Sequence, residues 1–385
     1  MKNENKITLL DLSKVDKNIV VTLKKNKLNK IKNLIKIRFG SVREFSKKAE
    51  CSKYLLYNLL NGYQNTTLIN WMKICKVLQL EVHNIIEKVT CMNRPKKGFI
   101  MMEDFPIQKN ASLASLVGHS FGDGHIGIDN FEYANTCNEL FKEVKDNVNK
   151  LPINNVKMIN NFQPNKAPVI IFPKMVRNIL VCCGAPEGNK ITTSYYFPKW
   201  IKKGNKAIKC AFVGSLLDDE GNISQSKVVR FSMSKRIDLI DNLQIFFKEI
   251  KSVLEEIEIS NISIKNKGEW NGKNGKTTSL ILQIFGFLNF NKLLESIQLN
   301  NPNKRTSLQE ISKTPKKFRL CRGETKGKII DLIKNDSLTI NEIAEKIGFK
   351  FKTISEHLNE LESKNLVVRT RCNGSRKSLW RSNKQ

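Results

Sequence analysis

The stretch LASLVGHSFGDGHI, Leu113 to Ile126, returns in altered form as CAFVGSLLDDEGNI, Cys210 to Ile223. Asp123 and Glu220 hold equivalent places, 220 − 123 = 97 residues apart, so the middle of the chain is an internal duplication. Each copy reads as an apolar helix with small residues at every fourth position. These are Ala114, Gly118 and Gly122 in the first copy, Ala211 and Ser215 in the second, where Asp219 breaks the series. Side chains at the contact set the distance between helix axes, so such ridges let two helices pack backbone against backbone. Gly118, Gly122 and Ser215 are therefore expected at a helix-helix seam that brings both helix ends together.

Each helix is expected to stop at a glycine, Gly124 or Gly221, with an acid immediately before it, Asp123 or Glu220. A helix C-terminus already carries about half a negative charge. Two such ends side by side raise the energy unless a cation sits between the carboxylates. A local rule broken in both copies marks a functional site. Mg²⁺ suits the gap, because it is commonly held by one or two carboxylates plus waters and substrate phosphates. The matching reaction is phosphodiester hydrolysis, in which the metal lowers the pKa of a bound water and neutralises the leaving oxygen. Asp123 and Glu220 are thus the candidate metal ligands and catalytic acids.

From about Ala111 to Leu308 these features resemble the LAGLIDADG homing endonucleases, which pair two such helices. The resemblance implies an α+β fold: a duplicated αββαββα core forming a DNA saddle over 105–315, with halves at about 105–205 and 206–315. Strand-rich stretches such as KVVRFSMS and NISIKNKGEW follow the second motif, and GAPEGNKITTSYYFPKWI, Gly184 to Ile201, resembles the family's connection between halves. The family keeps a basic residue near each acid, to polarise the attacking water or stabilise the pentavalent phosphate. Lys190 in PEGNK and Lys304 in NPNKR match those positions, although in so lysine-rich a chain either is equally readable as a surface charge. Alternate strand residues read DNA in the family, with Arg230, Ser232, Ser263 and Lys265 as examples here. Ser215 stands where the family often has glycine, and Asp218, Asp219 and Glu220 form an unusual run of acids. His119 and His125 flank the first acid and are assigned no role.

The flanks carry a different pattern. Residues 1–93 are expected to form an all-α domain: Ser41 caps one helix, a turn at Glu50 and Cys51 leads into SKYLLYNLLNG, and TLINWMKICKVLQL follows. This resembles the phage-repressor helix-turn-helix, which implies that Ser52, Lys53, Tyr54, Tyr57 and Asn58 face DNA; a purely structural bundle is the alternative. A linker, Arg94 to Gly98, closes the segment. In 322–385, KIIDLIKND, SLTINEIAEKIGF and KFKTISEHLNELESKN read as three helices before a hairpin turning at Asn373 and Gly374. The pattern resembles a winged helix. By that resemblance Lys352, Thr353, Ser355 and His357 lie on the recognition helix, while Arg369, Arg371, Arg376 and Lys377 line the wing. A protein-binding winged helix is the alternative.

Lys and Arg number 66 against 36 Asp plus Glu in 385 residues, a net charge of +30, which makes a polyanion, double-stranded DNA first, the expected partner. Nine cysteines without CxxC pairs or Cys/His clusters argue against zinc fingers and a disulfide framework. The N-terminus lacks a signal-peptide core, and the longest uncharged run, Thr277 to Asn291, is broken by Gln283, Gly286 and Asn289. A cytoplasmic, nucleoid-associated protein without a membrane or protein partner is expected, monomeric because one chain supplies both motifs. It is also expected to be free-standing rather than an intein, since it starts at Met1 and ends RSNKQ without splice-site residues. Three functions remain open: a metal-dependent homing endonuclease, a transcriptional regulator that keeps the saddle without cutting, and an RNA-splicing maturase. The acid pair favours the first.

Overall fold

Asn110 and Asn205 each open a motif helix by accepting a main-chain N–H with the side-chain oxygen, from Leu113 and Ile208 respectively, both at 3.0 Å. The helices run Ala111–Phe121 and Lys206–Glu220. The computed structural model describes residues 5–91, 98–161, 167–224, 227–313, 324–334, 336–347, 349, 351–371 and 378–383. They fall into two compact units, Met1–Ser312 and Lys313–Gln385.

At the seam of the motif helices the backbones touch. A Cβ on Gly118 would lie 2.6 Å from the Phe212 carbonyl oxygen and 3.0 Å from Ser215 Cβ, and one on Gly122 would collide with the Asp219 side chain. Gly118 with Ser215, and Gly122 with Asp219, each pair positions 97 apart (215 − 118 and 219 − 122), so equivalent residues meet and a local pseudo-twofold axis runs through the seam. Ser215 Oγ donates to Ser115 Oγ at 2.8 Å across it. The first helix stops earlier than expected: Phe121 is its last residue and Gly122 its cap, whose N–H reaches the carbonyls of Gly118 and His119, so Asp123 lies just beyond the helix end. In the second copy Glu220 ends the helix and Gly221 caps it, as expected.

The same succession follows both motif helices. In the first half come strands Gly124–Ile126 and Asn130–Ala134, helix Asn138–Asn149, strands Ile159–Asn161 and Val169–Pro173, and helix Lys174–Cys182. In the second come strands Gly221–Ser224 and Val228–Arg236, helix Ile240–Glu256, strands Ile262–Gly272 and Gly275–Phe285, and helix Phe287–Ser296. Each half makes a four-stranded antiparallel sheet with its four strands in the spatial order first, second, fourth, third. Period-2 alternation in Val228–Arg236 buries Val229, Phe231 and Met233 and leaves Arg230, Ser232, Ser234 and Arg236 half-buried on the other face. Phe121, from the first motif helix, stacks on Phe246 of the second half at 4.9 Å and meets Phe212 edge-on at 5.8 Å, which ties the halves together.

The N-terminal segment is not all-α. Its helices Lys25–Phe39, Val42–Lys48, Lys53–Leu60 and Leu68–Leu78 accompany a four-stranded antiparallel sheet in the order Thr66–Thr67, Ile19–Leu23, Ile86–Cys91, Phe99–Met101. Ile19 pairs with Cys91, a partner too remote for local periodicity to reveal. Nor does the segment stand apart from the duplicated core. Lys6–Ile7 pairs with Ile107–Gln108, Phe99 and Asn154 exchange main-chain hydrogen bonds, and buried Asn178 donates to Asp16 at 3.1 Å. The segment and both halves belong to one unit. Of the linker Arg94 to Gly98, only Gly98 lies among the described residues.

The second unit has helices Glu324–Leu332, Ile340–Ile347 and Phe351–Ser363 with a three-stranded sheet in the order Leu338–Thr339, Ser378–Ser382, Val367–Arg371. Ile329, Ile343, Ile354, Leu358, Val367 and Trp380 form its separate core.

A Gly118→Ala variant tests the seam. The added methyl meets a main-chain oxygen that cannot rotate away, so a loss on the order of 1–3 kcal/mol is expected. A thermal midpoint equal to wild type would mean that the helices are not in contact there.

Candidate functional site

Asp123 is exposed at the end of the first motif helix, where Asn135 Nδ2 donates to its Oδ2 at 2.8 Å. Glu220 is half-buried at the end of the second. Crowding away from water, together with the negative charge of Asp219, pushes the Asp123 carboxyl up to about 6, although Lys190, Lys304 and His119 pull it down. Burial raises Glu220 to about 7, with Asp123 and Asp219 adding to the rise and Lys190 and Lys304 opposing it. The charge of Asp123 thus reaches Glu220 across the seam.

Both sequence-selected lysines reach this place and do something the sequence did not indicate. Lys190 Nζ donates to the carbonyls of Ser120 at 3.4 Å and Gly124 at 2.9 Å, and to that of Gly122. Lys304 Nζ donates to those of Leu217 at 3.2 Å and Asp219 at 3.1 Å, and to that of Asp218. Each ammonium thus closes one helix C-terminus and sets a positive charge against its dipole. Burial lowers both lysine pKa values, and the surrounding acids resist the fall. Supporting residues hold these lysines. Buried Asp218 accepts the N–H groups of Asn300 at 2.8 Å and Asn301 at 3.1 Å, pinning the loop before Lys304. Fully buried Lys235 donates to the Lys190 carbonyl at 2.8 Å and the Thr193 carbonyl at 2.5 Å, above the Tyr195 ring. Desolvation brings Lys235 down to about 7.

Between the helices lies a polar cluster that the sequence reading passed over. His119 is fully buried; its Nδ1 lies 3.0 Å from Asp219 Oδ2 and its Nε2 3.4 Å from Glu143 Oε2. Burial alone would lower the imidazole, but the Asp219 and Glu143 carboxylates raise it to about 10. Asp219 also accepts from Tyr133 Oη at 2.8 Å and from the Asp123 N–H at 3.1 Å. The available signal was that Asp219 interrupts one small-residue ridge while His119 sits within the other helix, and buried charges need partners.

The remaining candidates lie elsewhere. On the second sheet Asn222, Arg230, Gln283 and Ser263 form one cross-strand row, and Lys265 lies opposite Ile281, which lies opposite Ser232. The corresponding row of the first sheet is His125, Glu132, Ile171 and Ile159, without a lysine or arginine. On helix Lys53–Leu60, Ser52 is the N-cap, accepting from the Leu55 N–H at 3.0 Å; Lys53, Tyr54 and Tyr57 are exposed, and Asn58 is half-buried. On helix Phe351–Ser363, Lys352 is exposed and Thr353, Ser355 and His357 are half-buried. Arg369 stacks over Trp380 and donates to Ser378 at 2.9 Å. Arg371 belongs to strand Val367–Arg371, while Arg376, Lys377 and the Asn373–Gly374 turn lie outside the described residues. Among the described residues no group of three or more His, Cys, Asp or Glu is placed to hold a metal, and no helix is long and apolar enough to cross a membrane.

Residues 324–368 match the family described as winged helix-turn-helix DNA-binding, so the chain carries a winged helix-turn-helix DNA-binding domain at its C-terminal end. Among curated proteins the chain is 29% identical over 235 residues to the replication factor C small subunit of Methanocaldococcus jannaschii, a stretch covering 53% of this chain and 13% of that protein. It is 23% identical over 289 residues to the tRNA-splicing ligase RtcB of Pyrococcus furiosus, covering 70% of this chain and 28% of that protein. The RtcB of Pyrococcus abyssi is 23% identical over 273 residues. The chain thus spans well under a third of the length of each of these relatives.

The strained acids make stability depend on pH. The folded chain holds protons on Glu220 up to about 7 and on Asp123 up to about 6, against roughly 4 for unfolded carboxyls. Across that window the folded state binds more protons than the unfolded one, so stability falls as pH rises. Glu220→Gln is expected to raise the thermal midpoint at pH 8 and to match wild type at pH 4. A lower midpoint at pH 8 would show that Glu220 is not strained.

Proposed function

We propose that this protein is a divalent-metal-dependent, site-specific DNA endonuclease of the LAGLIDADG kind, and that its helix-turn-helix modules extend its contact with DNA. The observation that carries the reading is the pair of acids, one at the end of each motif helix, Glu220 half-buried and Asp123 crowded by neighbouring groups, each pushed up further by like charge. Lys190 and Lys304 oppose that rise without cancelling it, so a further cation between the carboxylates would relieve them. The donor set suits Mg²⁺, which takes one or two carboxylates and completes its shell with water and phosphate oxygens. When bound, such an ion supplies an activated water and charge neutralisation at the scissile phosphate.

The chain's own residues supply the rest. Asp123 and Glu220 would hold the ion, with Asn135 orienting the first carboxylate. The Lys190 and Lys304 N–H groups are directed at main-chain carbonyls. Their contribution is therefore fixed positive charge beside the reacting phosphate rather than direct donation to the attacking water. The polar face of the second sheet is the part that meets DNA: Arg230 Nε and Ser263 Oγ are buried atoms without a hydrogen-bond partner among the described residues.

The relatives support the reading in one respect. Matches over 53% and 70% of one chain must overlap, yet they lead to a replication factor subunit and an RNA ligase, each over a small share of its own length. A segment shared by proteins of such different names is what a self-contained inserted module would produce. The second reading, a regulator that binds without cutting, is favoured by the winged helix-turn-helix DNA-binding domain.

Incubating the protein with a genomic or randomised DNA library, with Mg²⁺ or with EDTA, and sequencing new ends separates the two. Reproducible Mg²⁺-dependent ends at one long site are expected, and Asp123→Asn or Glu220→Gln should abolish them with DNA affinity nearly unchanged. Selective binding that never yields ends would establish the regulator instead. For the modules, Lys53→Ala and Lys352→Ala should each weaken binding and reduce the slope of log affinity against log salt by about one. Unchanged slopes would remove those side chains from the DNA interface.

A further inference from the structure

We propose that Asp219, locked between His119 and Tyr133, is a positioning residue that fixes the Asp123 segment across the pseudo-twofold seam. The inference rests on the nuclease reading for its purpose and on geometry for its content. At equivalent positions of the duplication, Gly122 caps one helix and Asp219 stands in the other, and the carboxylate fills the space that the missing Cβ leaves. The Asp219 side chain is fully buried, and its three neighbours converge from three elements. His119 comes from the facing motif helix at 3.0 Å, Tyr133 from the adjoining sheet at 2.8 Å, and the Asp123 N–H lies at 3.1 Å. Asn135 closes the loop, donating to both Asp123 Oδ2 at 2.8 Å and Tyr133 Oη at 3.2 Å. The second half thereby grips the acid of the first half at its main chain and, through Tyr133 and Asn135, at its carboxylate. Glu220 has no such arrangement: its equivalent partner position is Gly122, which has no side chain. The site is two-fold in its acids and one-sided in what holds them.

A buried ion pair is no reason by itself to expect stability, because apolar residues of similar volume often serve as well or better. Stability and positioning can therefore be pulled apart by comparing Asp219→Asn, Asp219→Ala and the double variant His119→Leu with Asp219→Ala, which restores small and apolar residues to the seam. Three readouts are taken on the full chain: the thermal midpoint, amide hydrogen exchange in peptides covering 121–126 against strand 228–236 as control, and single-turnover cleavage of the target.

Losing a charged acceptor for the Asp123 N–H should speed exchange in 121–126 by about tenfold or more in Asp219→Ala, with the control strand unchanged. Asp219→Asn, which keeps an acceptor oxygen, should return exchange to near wild type. The double variant should regain the wild-type midpoint while exchange stays fast and cleavage stays about ten- to a hundredfold slow. If it recovers exchange and cleavage along with the midpoint, the cluster is packing alone and the proposal is overturned. If wild type never cleaves, the nuclease reading fails, and the exchange pattern of the three variants still decides whether Asp219 holds Asp123.

Discussion

The rest of the duplicated core depends on the contact at Gly118, where a main-chain oxygen of the facing helix occupies the place of a side chain. Two helices that close cannot be displaced by a turn without colliding, so their ends arrive together and their caps become one surface. The placing of Asp123 and Glu220, the coupling between their carboxyls and the pair of lysine-capped termini all follow from that approach. Phe121, crossing into the aromatic cluster of the second half, secures it from the side.

Closeness has an electrostatic cost, and the site answers it asymmetrically. Lys190 and Lys304 neutralise the two helix ends in matching fashion. Asp219 and His119 belong to no matching pair: equivalence would require a second carboxylate at Gly122, for which there is no volume. The same unevenness reaches the sheets, since the second carries Arg230 in the row where the first has His125, Glu132 and two isoleucines.

The winged helix-turn-helix DNA-binding domain stands on its own core, with Trp380 and the helix residues Ile354 and Leu358 inside and Lys352 outside. The N-terminal helices, by contrast, are continuous with the duplicated core through the strand pairing of Lys6–Ile7 and the buried Asn178–Asp16 hydrogen bond. The DNA-binding domain is thus a separate unit, whereas the N-terminal helices are part of the scaffold that carries the acids.

The sequence alone determined what is local or repeated. It located the duplication, the small-residue seam at Gly118, Gly122 and Ser215, the acids Asp123 and Glu220, the caps at Ser41 and Gly221, and the three helices of the C-terminal unit, because periodicity and capping act over a few residues. Only the tertiary structure decided what depends on distant partners. The sheet joining Ile19–Leu23 to Ile86–Cys91 turned an expected all-helical domain into a mixed one. Lys190 and Lys304 proved to be bound to helix-end carbonyls, and His119, Tyr133 and Asp219 met across the seam. In each case the physical reason is the same: a charge or a strand edge acquires its meaning from whatever folding sets against it, and those groups lie about 60 to 100 residues away along the chain.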